Sequence, residues 1–177
     1  TVAWPLTYRS DILEKIGEKA LDTWEDLYRA GKKAKAIGHP VGIAMSHCDD
    51  TNLNMRALMW AHGASYVGKD GKQITLRSPQ TVEAIEFMKR IYKDGMEPEV
   101  LAWDDSHNNR SFNAGKSFAI LNPTSAYESA KAGKIKIPGS DREIHEVTEH
   151  ALPPRGPVTR ATSGTYYVLG IWKFSKN

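Results

Sequence analysis

The sequence predicts an α/β fold in which a small sheet is flanked by helices. Two short apolar runs, at 41–46 and 117–121, each lead through a polar stretch into a helical pattern, the signature of strand–loop–helix units. Strong helix starts precede two amphipathic segments, at Thr23 and at Ser78. Hydrophobic residues make up 40% and charged residues 25% of the 177-residue chain, values of an ordered globular domain that exclude a disordered one. The length allows one domain with a real core, or one with an appendage.

Along the chain, Pro5 keeps residues 1–8 extended. A short helix follows from about 10 to 16 and stops at Gly17. Thr23-Trp-Glu-Asp26 has the form of a capping box, a hydroxyl at the cap and an acid three residues later. Leu27, Ala30, Ala34 and Ile37 place an apolar stripe on the resulting helix, which Gly38 ends. Residues 41–46 read as a short buried strand. Residues 49–54 read as a polar loop opening a helix that carries Leu53, Leu58 and Met59, with Trp60 among them as core. Gly-Lys-Asp-Gly at 68–71, between 65–67 and 73–76, predicts a hairpin.

Ser78 followed by Pro79 predicts the next helix, with Val82, Ile85, Met88, Ile91 and Tyr92 at helical spacing until Gly95. Residues 117–121 are a second buried strand, and 132–149 mostly loop with short strand pieces. Pro153, Pro154, Gly156 and Pro157 mark the clearest boundary. Residues 165–172 read as one buried strand, and its hydrophobicity predicts a covering element from outside this chain.

Charge and composition remove several function classes. The net charge is +3, and Lys32, Lys33 and Lys35 read as the solvated face of a helix without aromatic residues between them, so nucleic-acid binding is not predicted. Cys48 is the only cysteine, which leaves no intrachain disulfide. No apolar run reaches about 18 residues, so no spanning helix is predicted. No leader-like segment is seen, as expected of a mature or trimmed chain.

Each polar constellation has a structural and a functional reading. Gly115-Lys116-Ser117 lacks the earlier glycine of a phosphate loop, where Arg110 stands; Gly115 is read as a helix end. His47, Cys48, Asp49 and Asp50 are consecutive, so they do not converge on a metal. They read as a polar loop after a strand, with Asp49 and Asp50 able to accept hydrogen bonds from ligand hydroxyls. Trp103, Asp104 and Asp105 with His107 offer an aromatic face beside two acids, suited to a pyranose ring and its hydroxyls. The alternatives there are capping of a short helix or, less well matched, glycoside hydrolysis. Asn122, Thr124 and Ser125 lie where a buried strand opens a helix, a polar site that also reads as an ordinary cap; Tyr127 there reads equally as core. Thr162, Ser163 and Gly164 supply small groups before the last strand. Asn109-Arg-Ser111 matches a glycosylation acceptor, meaningful only in a eukaryotic secreted protein. No catalytic set, metal site or cofactor is predicted.

A succession of landmarks carries a resemblance: Tyr8-Arg-Ser-Asp11, Thr23-Trp-Glu-Asp26, Gly63 to 67, the helix from Ser78 to Gly95, Phe112-Asn-Ala-Gly-Lys116, the strand to Asn122-Pro123, then Leu152-Pro-Pro, Gly156-Pro157 and the close 170–177. In this order they resemble the second lobe of family 1 extracellular solute-binding proteins of ABC importers, the group that includes maltose-binding protein. The resemblance implies a periplasmic-binding-protein-like lobe, part of a two-lobed fold with ligand held between the lobes. Residues 1–7 would be a crossover strand, 8–150 most of the second lobe, and 151–177 a return toward the first lobe, most of which would lie outside this chain.

By position, Asp49, Asp50 and Asn52, then Asp104 and Asp105, then Asn122, Thr124 and Ser125 fall where the family places ligand contacts. Ser163, Gly164 and Tyr166 would be contacts from the other lobe. The aromatic residues of maltose-binding protein in the last loop are replaced by Thr124 and Ser125, which points to a smaller sugar or polyol. The implied partner is a membrane permease, the place periplasmic or extracellular, and the full-length protein a monomer. The rival functions are a glycoside-acting enzyme and a chemosensory ligand-binding module.

Overall fold

In the computed structural model, which describes residues 2–165 and 168–176, Pro5 splits the first extended segment into β1 (Val2–Ala3) and β2 (Leu6–Arg9). A short helix α1 (Ser10–Lys15) follows, and the chain turns at Gly17, whose φ of +70° suits glycine. The capping box forms as read. Thr23 accepts the Asp26 N–H at 3.1 Å, and the Asp26 carboxylate accepts the Thr23 N–H at 2.9 Å, opening α2 (Trp24–Ala36). Then come α3 (Asp49–Ala61), α4 (Pro79–Gly95), a 3-10 turn (Pro98–Ala102) and α5 (His107–Asn113). The chain ends with β3 (Ala119–Leu121), α6 (Ser125–Gly133), a second 3-10 turn (Ile144–Val147), β4 (Thr148–Ala151) and β5 (Gly164–Thr165).

β2 is the centre of a three-stranded antiparallel sheet in the order β3-β2-β4, with Leu6 opposite both Leu121 and Ala151. β1 pairs with β5 through Val2–Thr165 and Ala3–Gly164. Side chains alternate across β3 as a strand requires. Ala119 and Leu121 join the larger core with Trp24, Leu27, Leu58, Phe87 and Ile91, while Ile120 joins Phe112, Ala126, Ala130 and Ile144 on the other face. The result is three layers: α2, α3 and α4 on one side of the sheet, α5 and α6 on the other.

Small residues let α2 and α4 approach closely. Ala30, Ala34 and Ala84 are fully buried between them, and Trp24 meets Phe87 edge-on at 6.0 Å. Gly31 is needed here, because a Cβ at that position would lie 2.5 Å from Val41 Cγ2. The chain after Pro153 folds back onto the same layer: Arg155 donates its N–H to Asp22 O, and Val158 donates to Ala61 O.

Several expectations are corrected. Residues 41–46 are buried as read, yet they form one parallel bridge, Val41 to Ala119, and no strand. The Gly42 N–H donates to Ala119 O of β3, but those of Val41 and Met45 go elsewhere, to Gly95 O and Val100 O. Residues 49–54 are the first turns of α3 rather than a loop. The buried face of α4 is set by Thr81, Ala84, Phe87, Met88 and Ile91, so Val82 and Ile85 of the predicted stripe are exposed. Trp60 is 38% exposed and is not core, and Ile37 follows the end of α2 at the surface. The hairpin around 68–71 is present as a single bridge, Val67 to Ile74. The predicted final strand is not seen at 168–172, where Val168, Leu169, Ile171 and Trp172 are exposed; Tyr167 and the candidate contact Tyr166 lie outside the described residues.

Candidate functional site

Because residue 41 bridges β3 in parallel, the segment 41–46 and β3 run in the same direction and end at the same edge of the layer. α3 starts from the first and Asn122 follows the second, which is where strand-to-helix loops of open α/β sheets hold ligands. α5 lies across these two ends and connects them.

The connection is a polar network, buried at Asp50, Asn108 and Asn122 and open to the surface at Ser125. Asn108 Nδ2 donates to Asp50 Oδ2 at 2.5 Å and to Asn122 Oδ1 at 3.2 Å. Asn122 Nδ2 donates to Asn109 Oδ1 and, at 3.0 Å, to Ser125 Oγ. Asn109 Nδ2 closes the ring on Ser125 Oγ at 3.0 Å. The start of α3 gets its acceptor from a distant element: Cys48 at the cap position makes no side-chain bond to the helix backbone, and Asp105 Oδ1 takes the Asp50 N–H at 2.9 Å. Asp50 is only 6% exposed. Burial, with the Asp105 and Asp49 charges, pushes its carboxyl up to about 7 against the pull of the Asn108 hydrogen bond.

The predicted residues divide. Asp50, Asp105, Asn122 and Ser125 are brought together. Asp49 and Asn52 are exposed on the first turns of α3, and Thr124 is exposed at the start of α6 without a capping bond. Asp104 turns away: Ser106 N–H and hydroxyl at 2.9 and 2.8 Å, with Arg110 at 3.1 Å, hold its carboxyl well below the usual carboxylate range. Trp103 stacks on His107, centroids 6.0 Å apart, and lines a separate cavity of about 180 Å³ with Pro40, Glu99, Ser111 and Lys116. Tyr127 is half-buried, edge-on to His145 and His150. Ser163 is buried and donates to Leu53 O of α3 at 2.7 Å; Gly164 lies in β5 beside Ala3.

Asn108 and Asn109 were not among the predicted residues. The available signal was periodicity. Asn108 stands four positions before the buried Phe112, so it is a polar residue on the apolar stripe of its helix. Among the described residues no three His, Cys, Asp or Glu side chains group as metal ligands. Gly115, with φ +73°, closes the turn after α5, as its helix-ending reading requires.

The family model for bacterial extracellular solute-binding proteins matches residues 2–172. The chain belongs to that family. Among solved structures, the family lobe superposes on maltose-bound MalE3 of T. maritima with a TM-score of 0.73 at 24% identity, covering 90% of this chain and 40% of that one. A sugar transporter from Arthrobacter chlorophenolicus A6 with bound laminaribiose gives 0.70 and 24%, covering 90% and 38%. A solute-binding protein of an ABC transporter from Thermotoga lettingae TMO, bound with alpha-D-tagatose, gives 0.74 and 17%, covering 90% and 40%. The likeness establishes the α/β lobe of periplasmic binding proteins, and the chain spans about two fifths of the length of these structures. No curated protein matches the chain.

Proposed function

We propose that this chain supplies the second lobe of a sugar- or polyol-binding protein that delivers its solute to the membrane permease of an ABC importer. The observation that carries the reading is the Asp50–Asn108–Asn122–Ser125 network at the strand ends of a family lobe. Its buried members Asp50, Asn108 and Asn122 tie together the starts of α3 and α6, which carry the exposed Asp49, Asn52, Thr124 and Ser125 at one edge, the mixture of carboxylate, amide and hydroxyl that pairs with a polyhydroxylated neutral solute. Family membership supports an extracellular or periplasmic place, and solved proteins of this fold carry maltose, laminaribiose, D-mannitol and ribitol.

In this reading residues 1–7 cross between lobes, 8–150 form the second lobe, and 151–177 return toward the first. Closure of the two lobes over the solute makes the state the permease recognises, and the full-length protein acts as a monomer. Asp49, Asn52 and Thr124 face the cleft; Ser163, Gly164 and Tyr166 are the ligand contacts proposed from the other lobe. A glycoside-acting enzyme built on Asp104 or Asp105 is disfavoured by their partners: Asp105 accepts a helix N–H, and Asp104 is held by Ser106 and Arg110. Calorimetric titration with maltose, laminaribiose, D-tagatose, D-mannitol and ribitol tests the reading. The expected result is saturable binding of at least one, recovered intact; no binding across the panel, or hydrolysis of a disaccharide, overturns it.

A further inference from the structure

Asn108 is 2% exposed on the first turn of α5, and its amide group is used up inside the protein. One N–H goes to Asp50 and the other to Asn122, and Oδ1 accepts the Asn109 N–H at 2.6 Å. Only a primary amide offers two hydrogens on one nitrogen and an acceptor beside them. A carboxylate in its place would set an acceptor against Asp50 Oδ2 and Asn122 Oδ1, and an aliphatic side chain would leave both without a donor. With neither amide hydrogen left over, Asn108 does not itself donate to a solute. It spans the start of α3 and the loop after β3, the two polar ends of the binding edge.

We propose that Asn108 is the positioning residue of this site, holding the buried Asp50 and Asn122 at a fixed spacing so that the exposed Asp49 and Asn52 of α3 and Thr124 and Ser125 after β3 meet the bound polyhydroxyl solute together. The proposal rests on the solute-binding reading above and gives the site its internal clamp. Its electrostatic consequence is specific. The charges that act on Asp50 are Asp105, from the loop before α5, and Asp49 on its own helix, and both are acids. Asn108 from α5 faces it as a neutral amide, with Asn122 from the loop after β3 behind Asn108. The Asn108 hydrogen bond is the interaction that favours the ionised form of Asp50.

The test is a carbon-13 carboxyl titration of Asp50 in the 177-residue chain, with Asn108→Ala beside it, and calorimetry with maltose and D-mannitol from pH 5 to 9. Asn108→Ala is expected to move the Asp50 midpoint upward from near 7 by about one pH unit, the size of one hydrogen bond to an ionised group. It should weaken any measured affinity about tenfold, more at pH 9 than at pH 5. An unchanged midpoint overturns the proposal. If Asn108→Ala does not fold, the Asp50→Asn change in that background is expected to restore folding, because the unmet carboxylate is gone; failure to restore it overturns the proposal as well. If neither probe binds the unchanged chain, the solute reading loses its support from these two sugars, while the Asp50 midpoint still decides the role of Asn108.

Discussion

The seam between α2 and α4 and the seam joining α3, α5 and the loop after β3 are both buried at their centres, and they are held by opposite means. The first is filled by Trp24, Leu27, Ala30 and Ala34 against Ala84, Phe87, Met88 and Ile91. Its attraction is non-directional and scales with area and fit. The second is filled by Asp50, Asn108, Asn109 and Asn122, tied by hydrogen bonds that each need a partner at a defined angle. Deleting one member there strands the others, so the polar seam trades tolerance for position. The apolar seam holds the lobe together. The polar seam places groups at its edge.

The largest effect that separates them is expected in the apolar seam. Ile91 is fully buried in the larger core, and Ile91→Ala should cost about 2–5 kcal/mol of stability. Urea unfolding checks it as a lowered midpoint with an unchanged slope. A loss under about 1 kcal/mol would mean that the α2–α4 contact closes over the cavity and is not the main store of stability.

The polar seam answers to pH instead. Asp50 in the folded chain titrates near 7, above about 3.9 for an unfolded aspartate. The folded state therefore holds the proton more tightly, and this contribution is complete below about pH 4 and is lost as pH rises through 7. The unchanged chain should lose stability from pH 4 to pH 8 more steeply than Asp50→Asn, which has no such proton. Thermal unfolding across that window measures the difference. Parallel curves would mean that Asp50 is not held in the protonated form.

The same contrast explains what could be read from the sequence. The capping box at Thr23, the Ser78–Pro79 start and the β3 run follow local rules, in which cap, stripe and terminator lie within a few residues of one another. The α4 stripe was misplaced because Val82 and Ile85 are as apolar as Met88, and only packing decides which face turns inward. Asp50, Asn122 and Ser125 were legible as polar residues after buried runs. Their hydrogen-bonding through Asn108 was not, since it joins positions 58 and 14 residues apart. Trp103 and Asp104 illustrate the converse: neighbours of Asp105 in sequence, they turn to His107, Ser106 and Arg110, away from Asp50.

A smaller effect sharpens the comparison at the helix starts. α2 caps itself from adjacent residues, with Thr23 Oγ1 on the Asp26 N–H and Asp26 Oδ2 on both the Thr23 N–H and hydroxyl. α3 draws its acceptor from Asp105, 55 residues away. A local cap stabilises its helix whether or not the rest of the lobe is assembled, whereas an imported one depends on the tertiary fold. Thr23→Ala is expected to cost about 1 kcal/mol, read as a lower urea midpoint. Because the loss falls on α2, far along the chain from the polar seam, the Asp50 titration midpoint should stay where it is. A shifted Asp50 midpoint in Thr23→Ala would show that the two seams are coupled through the sheet, and their separation into a holding region and a placing region would fail.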